Sequence, residues 1–248
     1  MRQASDGADA VLPPVVILAG GKGTRLRPFT VTFPKPLVPL GDIPILELIL
    51  RQLAEQRFSR VTLTVGHLES LIRAFISQHA ELHARLDIDF VSETEPTGTA
   101  GSLASVPHLD GTTLVMNGDV LTNLDYAALV GAHEASGAAL TIAVHTVEET
   151  VDFGVLRSND DGVLTAYAEK PRQTYDVSMG VYVYSKRALD RIERGTYLDF
   201  PTLVTDLLEA GETVRVYRNQ AFWLDIGRPG DYAKAQELFD KDPAFFGL

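Results

Sequence analysis

Glycines and basic residues are concentrated in one short loop near the start of the 248-residue chain. Residues 18–28 read LAGGKGTRLRP and follow an apolar run directly. Glycines let the backbone approach a ligand closely, and successive N–H groups in such a loop can form a nest that binds an anion. Lys22, Arg25 and Arg27 add positive charge, and Lys35 follows between two prolines. The loop is therefore a candidate phosphate-binding site, although a glycine turn with solvated basic residues has the same composition.

Two well-known phosphate-binding patterns do not fit this loop. The Walker spacing GxxxxGK[ST] does not occur here. The dinucleotide fingerprint GxGxxG would begin at Gly21, and its third glycine would fall at the position of Leu26. A nucleotide-dependent dehydrogenase is therefore disfavoured, and any phosphate loop here is of another type.

Two carboxylates stand where apolar runs end. Residues 115–119 read VMNGD, so Asp119 follows an apolar strand in a turn. Residues 223–227 read WLDIG and contain Asp225. A Gly-Asp step is also a common turn, so the elements that position these side chains decide what the carboxylates can do.

Alternating strands and helices must position these residues. The run Val15–Ala19 is wholly apolar and rich in β-branched residues, which is typical of a strand buried on both faces of a parallel sheet. Further strands are predicted over Arg60–Val65, Ile88–Val91, Thr113–Met116 and Leu140–Val144. Helices are predicted from Pro44 to Leu53, over Leu68–Gln78 and over Leu124–Ala135. The alternation indicates βαβ units and a mostly parallel sheet.

The pattern changes after about residue 150. Strands are predicted over Gly154–Leu156, Val163–Tyr167, Gly180–Tyr184 and Val214–Tyr217, and helices over Lys186–Ile192, Pro201–Ala210 and Gly230–Phe239. We interpret this half as a smaller, substrate-facing lobe laid on the first, and no linker divides the two. The aromatic side chains of Tyr182, Tyr184, Phe222 and Trp223 are expected in the core.

Composition limits the function further. The chain has 22 Lys and Arg against 33 Asp and Glu, a formal net charge of -11, and no cysteine. The absence of cysteine excludes a thiol nucleophile, an iron–sulfur cluster and a cysteine-bound zinc site. The acidity argues against nucleic-acid binding, which needs a basic face. A phosphorylated small substrate remains compatible, provided that positive charge is concentrated locally.

The first loop and the Pro-Lys-Pro segment together resemble a known family. LAGGxGTRLxP followed by PKPLxP is similar to the sugar-1-phosphate nucleotidyltransferases, and the resemblance extends over about residues 14–240. It implies an α/β fold with a Rossmann-like, mostly parallel mixed sheet flanked by helices, and a smaller sugar-binding lobe in the second half. We expect a disordered tail over residues 1–13 and a single nucleotidyltransferase catalytic domain over 14–248. The β-helix or helical region that longer relatives append is not expected.

The resemblance also assigns roles to individual residues. It implies that Arg25, Lys35 and Lys170 act in catalysis on the phosphates and that Asp119 and Asp225 bind Mg²⁺, which suits a hard cation that bridges substrate phosphates. The nucleotide-binding residues that it implies are Leu18, Ala19, Gly20, Gly21, Gly23, Thr24, Glu93, Gly98 and Thr99. The sugar-binding residues that it implies are Asn117, Gly154, Glu169 and Ser178.

Individual residues and short segments indicate which base and which sugar the protein binds. Glu93 in the segment that resembles the base-recognition loop suits guanine, which offers two N–H donors on one edge, and it does not exclude uracil or thymine. The segments GTAG and WLDIGRPGDY look most like the guanylyltransferases for mannose or heptose 1-phosphates. A uridylyl- or thymidylyltransferase for another hexose 1-phosphate is the alternative, and a non-catalytic nucleotide-sugar sensor is another. Many relatives have Asn where Ser178 stands.

These features set the expected partners and location. The partners are a nucleoside triphosphate and a sugar 1-phosphate, with no nucleic acid and no membrane, and a homo-oligomer is compatible with the sequence. No basic segment followed by an apolar one suggests a signal peptide, and the apolar run Val15–Ala19 is far shorter than a membrane span. The expected location is the cytoplasm.

Overall fold

The computed structural model describes residues 11–227, 229–242 and 246. Its strands are β1 (Val15–Ala19), β2 (Pro39–Leu40), β3 (Ile43–Pro44), β4 (Arg60–Val65), β5 (Asp87–Ser92), β6 (Thr113–Asn117), β7 (Val120–Thr122), β8 (Leu140–Thr150), β9 (Gly154–Ser158), β10 (Leu164–Glu169), β11 (Arg172–Tyr184), β12 (Val214–Arg218) and β13 (Trp223–Asp225). Its helices are α1 (Ile45–Glu55), α2 (Glu69–Ser77), α3 (Ala80–His83), α4 (Gly98–Gly101), α5 (Tyr126–Ser136), α6 (Lys186–Leu189), α7 (Phe200–Glu209) and α8 (Pro229–Lys241). Of the predicted tail, residues 1–10 lie outside the described part, whereas Leu12 packs against the core.

A seven-stranded sheet forms the centre of the described chain, in the order β12-β8-β11-β6-β1-β4-β5. The β1–β4, β1–β6, β4–β5 and β12–β8 pairs are parallel, and β11 runs antiparallel to both β6 and β8. The prediction of a mostly parallel mixed sheet is confirmed. Two buried clusters cover its faces, one beneath α1, α2 and α5 and the other beneath α4 and α7.

The predicted elements of the first half form for the reasons that the sequence indicates. Strand β1 is almost completely buried, as its unbroken apolar run requires. Helix α1 begins directly after Pro44, and its apolar side chains share one buried face. Helix α5 begins at Asp125, whose carboxylate accepts a hydrogen bond of 2.8 Å from the N–H of Ala128, and Gly137 ends it in the left-handed conformation.

The strands of the second half are divided between the central sheet and smaller pairings. Of the described strands after residue 150, β11 and β12 join the central sheet, whereas β9 pairs with β10 and the short strand β13 pairs with β7. Strands β8 and β11 are longer than predicted. Their outer halves, residues 145–150 of β8 and 172–177 of β11, continue as a paired, mostly exposed ribbon. Those halves are mainly polar, so no apolar alternation marks them in the sequence. No helix in the described ranges is long and apolar enough to cross a membrane.

Candidate active site

A cavity of about 870 Å³ opens at the carboxyl ends of β1, β4 and β6. This edge is where an open α/β sheet places its ligands. Thirteen of the predicted site residues line the cavity, drawn from the glycine loop, the Lys35 segment, the Glu93 loop and the end of β6: Leu18, Ala19, Gly20, Gly21, Gly23, Thr24, Arg25, Lys35, Glu93, Gly98, Thr99, Asn117 and Asp119. The fold therefore brings together residues that are up to about a hundred positions apart in the chain.

Local contacts hold the glycine loop in place. Gly23 has a φ of 58°, and a Cβ there would lie only 3.1 Å from the Cβ of Lys35. The hydroxyl of Thr30 donates to the carbonyl of Gly23 at 2.7 Å, and the side chain of Leu26 is fully buried beneath the loop. Glycine is required at this position by both conformation and space, and the buried leucine anchors the turn that carries Arg25 to the cavity wall.

Lys35 stands at the centre of the charged part of the site. Its ammonium forms an ion pair with Asp119 and lies 3.9 Å from the carboxylate of Asp225, and only 10% of its side chain is exposed. The pairing of β13 with β7 sets Asp225 opposite Val120, beside Asp119. Two carboxylates from distant parts of the chain therefore flank one buried cation.

The carboxylates of Asp119 and Asp225 form a candidate cation site beside Lys35. Burial raises the pKa of Asp225, the negative charge of Asp119 raises it further, and the nearby Lys35 and Arg25 lower it. The net shift is upward and burial is its largest cause, so the charged form of Asp225 is costly when no further cation is present. Among the described residues no cluster of three His, Cys, Asp or Glu side chains could hold a metal. Two carboxylates fit Mg²⁺, which takes one or two carboxylates and completes its shell with water and phosphate oxygens.

Glu93 lines the cavity and packs against the glycine loop. Its backbone N–H donates to the carbonyl of Val65 at 2.8 Å, and one carboxylate oxygen accepts from the hydroxyl of Thr97 at 2.8 Å. The other oxygen lies 2.5 Å from where a Cβ on Gly20 would stand. Gly20 is therefore needed to admit the Glu93 carboxylate, which the strand end and Thr97 hold in one orientation.

The glycines after Thr97 pack closely against the segment that precedes α7. In the structure a Cβ on Gly98 would lie 2.4 Å from the carbonyl of Leu198, and that carbonyl accepts from the N–H of Gly101 at 2.9 Å. The hydroxyl of Thr99 accepts from the N–H of Phe200 at 3.0 Å. The segment is thus fastened to the residues that lead into α7, and its glycines allow that close packing.

A bulge in β11 packs against Asn117, which lines the cavity. Gly180 has a φ of 74°, and a Cβ on it would lie 2.6 Å from the side-chain amide nitrogen of Asn117. The hydroxyl of Ser178 donates to that of Tyr182 at 3.2 Å. Tyr182 and Tyr184 are buried, as predicted. Burial raises the pKa of Tyr182, the bond to Ser178 lowers it and the charge of Asp119 raises it, so the phenol stays protonated.

Five of the predicted site residues do not line the cavity: Ser178 and Asp225, described above, and three residues in or beside one hairpin. Gly154, Glu169 and Lys170 belong to or adjoin the hairpin of β9 and β10. The carboxylate of Glu169 accepts from the hydroxyl of Tyr167, and a Cβ on Gly154 would lie 2.3 Å from that hydroxyl. Contacts within the hairpin account for the glycine and the glutamate, and the assignments of Gly154 and Glu169 to the sugar and of Lys170 to catalysis on the phosphates stay predictions.

Several lining residues were not singled out from the sequence. Gly66 and His67 directly follow β4, and Thr97 binds Glu93 as described above. The carboxyl ends of parallel strands meet at one edge, so the end of the predicted strand Arg60–Val65 was the available signal for Gly66 and His67. No signal in the sequence indicated that Thr97 would contact Glu93.

Comparisons with known proteins agree with this geometry. A family model described as nucleotidyl transferase matches residues 14–242. The chain is 31% identical over 225 residues to mannose-1-phosphate guanylyltransferase of Mycobacterium tuberculosis, which covers 88% of this chain and 62% of that protein. It is 29% identical over 238 residues to UTP–glucose-1-phosphate uridylyltransferase of Synechocystis, and this alignment covers 89% of this chain and 61% of that protein. The crystal structure of HddC from Yersinia pseudotuberculosis complexed with GMP-PN superposes with a TM-score of 0.71 at 29% identity, over 92% of this chain and 100% of that one. The chain spans about three fifths of the length of the two curated relatives.

Proposed function

Because the chain belongs to the nucleotidyl transferase family, we propose that it transfers a nucleotidyl group from a nucleoside triphosphate to a sugar 1-phosphate. A phosphate oxygen of the sugar 1-phosphate attacks the α-phosphorus, the bond between the α- and β-phosphates breaks, and pyrophosphate leaves. The observation that carries this proposal is the placement of Lys35 between Asp119 and Asp225 beside a glycine loop that bears Arg25.

Each group has a role that its chemistry supports. The N–H groups of the glycine loop bind the triphosphate, and Arg25 stabilises the charge that develops on the α-phosphate. Lys35 binds phosphate while balancing the two carboxylates. The attacking oxygen is already ionised, so the reaction needs no general base and no covalent nucleophile. Such transfers depend mainly on positioning and on stabilisation of charge.

Asp119 and Asp225 would hold Mg²⁺ in this reaction. When bound, the ion supplies positive charge that neutralises the phosphate oxygens. The raised pKa of Asp225, which is caused first by burial and then by the charge of Asp119, supports this assignment. Lys35 would then release part of its interaction with the carboxylates and turn to the phosphates.

The nucleoside triphosphate is proposed to be GTP. The fixed carboxylate of Glu93 can accept from two N–H groups on one edge of guanine, and only one such donor is available on uracil or thymine. One relative is named a guanylyltransferase, and the neighbouring crystal structure holds GMP-PN. The name of the Synechocystis relative supports uridylyl transfer as the second candidate.

The sugar is proposed to be of the mannose or heptose type. Asn117 at the cavity wall and Ser178 at the bulge are available to bind its hydroxyls. The resemblance assigns Gly154 and Glu169 to the same sugar and Lys170 to catalysis on the phosphates, and these assignments form part of the proposal. We propose a cytoplasmic location because the reaction consumes a nucleoside triphosphate; a homo-oligomer stays a prediction.

Release of pyrophosphate tests the proposed function. GTP, UTP, dTTP and ATP are each combined with mannose 1-phosphate, heptose 1-phosphate and glucose 1-phosphate in the presence of Mg²⁺. We expect turnover with GTP and one of the first two sugars. Arg25→Ala and Asp119→Ala should each lower turnover by orders of magnitude while circular dichroism stays unchanged. Arg27→Ala is the matched control, because Arg27 is exposed in the same loop and lies outside the cavity wall.

Two outcomes would contradict the proposal. If no pair of substrates releases pyrophosphate and nucleotide still binds, the chain is a non-catalytic sensor. If Arg25→Ala is as active as Arg27→Ala, Arg25 has no role in stabilising the transferred phosphate.

A further inference from the structure

The bulge in β11 assembles two hydroxyl groups that a regular strand would keep apart. In the pairing with β8, Ser178 lies opposite Val144 and Tyr182 opposite Ile142, so four steps on one strand match two on the other. Four residues of extended chain span about 13 Å. The left-handed Gly180 between them shortens this span, and the two hydroxyl oxygens lie 3.2 Å apart. Bulges of this kind often redirect side chains beside active sites.

The same bulge adjoins the cavity. Gly180 packs against the side-chain amide of Asn117, which lines the cavity wall. The N–H of Gly180 donates to the hydroxyl oxygen of Ser178 at 3.2 Å, and Ser178 is exposed whereas Tyr182 is 7% exposed. The hydroxyl of the buried Tyr182 therefore contacts that of an exposed residue, Ser178, which the proposed function assigns to the sugar.

The tyrosine ring is held firmly from the other side. Its centroid lies 4.1 Å from that of Phe200, with the two ring planes inclined by 32°. The N–H of Phe200 is bound by the hydroxyl of Thr99 on the cavity wall. A buried ring fixed in this way places its hydroxyl at one point, so the serine has a preset partner.

We propose that Tyr182 is a positioning residue for the sugar 1-phosphate and that it acts through Ser178. The proposal rests on the proposed function. Two hydroxyls share one hydrogen bond between them, and the serine oxygen also accepts from Gly180. Two hydroxyls can exchange the roles of donor and acceptor, so when Tyr182 donates to Ser178 the serine proton is left to donate to a sugar oxygen, and the tyrosine decides where that proton points. A short serine supported by tyrosine thus takes the position that an asparagine holds in many relatives.

Tyr182→Phe tests this role because it keeps the ring and its packing and removes only the hydroxyl. With GTP and mannose 1-phosphate, we expect KM for the sugar phosphate to rise about three- to tenfold, as the loss of one hydrogen bond predicts, while KM for GTP is unchanged. Tyr184→Phe is the matched control, since Tyr184 is buried two residues further along the same strand. It should leave both KM values unchanged.

A double-mutant cycle tests whether the effect passes through Ser178. Ser178→Ala should raise the same KM, Ser178→Thr should keep it near that of the wild type, and Ser178→Ala with Tyr182→Phe should be no worse than Ser178→Ala alone. Additive effects would show that Tyr182 does not act through Ser178 and would overturn the proposal.

The outcomes separate this proposal from the proposed function. An active wild type in which Tyr182→Phe behaves like Tyr184→Phe refutes the positioning role alone. A wild type that releases no pyrophosphate with any substrate pair refutes the proposed function, and the positioning role falls with it.

Discussion

Gly20→Ala offers a direct test of how the site reads the base. The added Cβ would lie 2.5 Å from a carboxylate oxygen of Glu93, so that oxygen must move by about 1 Å to reach a normal van der Waals separation. The backbone of Glu93 is fixed by its bond to Val65, so the side chain has to rotate. Rotation breaks the 2.8 Å hydrogen bond from Thr97 and misaligns the carboxylate with the base.

The expected loss follows from the strength of hydrogen bonds to a charged group. Such a bond contributes about 1.5–3 kcal/mol, which corresponds to roughly a ten- to hundredfold fall in kcat/KM for GTP. A pyrimidine nucleotide offers one N–H donor to the carboxylate and should lose less. The ratio of kcat/KM for GTP to that for UTP is therefore the quantity to measure, by pyrophosphate release under identical conditions.

Gly21→Ala is the control for this prediction. A Cβ on Gly21 meets no atom within 4 Å, so it adds a methyl group to the same loop without touching Glu93. Any effect of that methyl on the triphosphate should be equal for both nucleotides. If Gly20→Ala keeps the wild-type ratio, or if the two variants change it equally, Glu93 does not select the base.

Three further predictions concern stability. Burial and the neighbouring Asp119 raise the pKa of Asp225, so its charge destabilises the metal-free fold at neutral pH and this cost is relieved as pH falls through the raised pKa. Asp225→Asn should therefore raise Tm at pH 7 in the absence of divalent cations. Adding Mg²⁺ should raise the Tm of the wild type but not that of the variant. A wild type whose Tm does not respond to Mg²⁺ would contradict the metal assignment. Gly98→Ala should lower the free energy of unfolding by about 2 kcal/mol or more, because its φ is 83° and its Cβ would strike the carbonyl of Leu198, and an unchanged urea midpoint would contradict that account. Gly131→Ala in α5 should raise it by about 0.5–1 kcal/mol, since the added Cβ meets nothing, and a lower midpoint would disprove this.

Local patterns in the sequence were enough for much of the architecture. The bounds predicted for the strands Val15–Ala19 and Arg60–Val65 are those observed, and α1 begins where Pro44 predicts. In these segments an apolar run or an apolar face is buried, so the residues themselves carry the signal. The outer halves of β8 and β11 were missed because backbone pairing, without burial, holds their polar residues in the strand.

The sequence by itself determined the chemistry of single segments: a glycine loop with cations, a Pro-Lys-Pro step and carboxylates at strand ends. Only the tertiary structure decided that Lys35 lies between Asp119 and Asp225, because that arrangement depends on the pairing of β7 with β13. It also decided that the glycines near Thr99 admit the segment before α7, and that a bulge joins Ser178 to Tyr182. The physical reason is the same in each case: which backbones pair and which side chains meet depends on contacts between residues distant in the chain, and no local pattern encodes them.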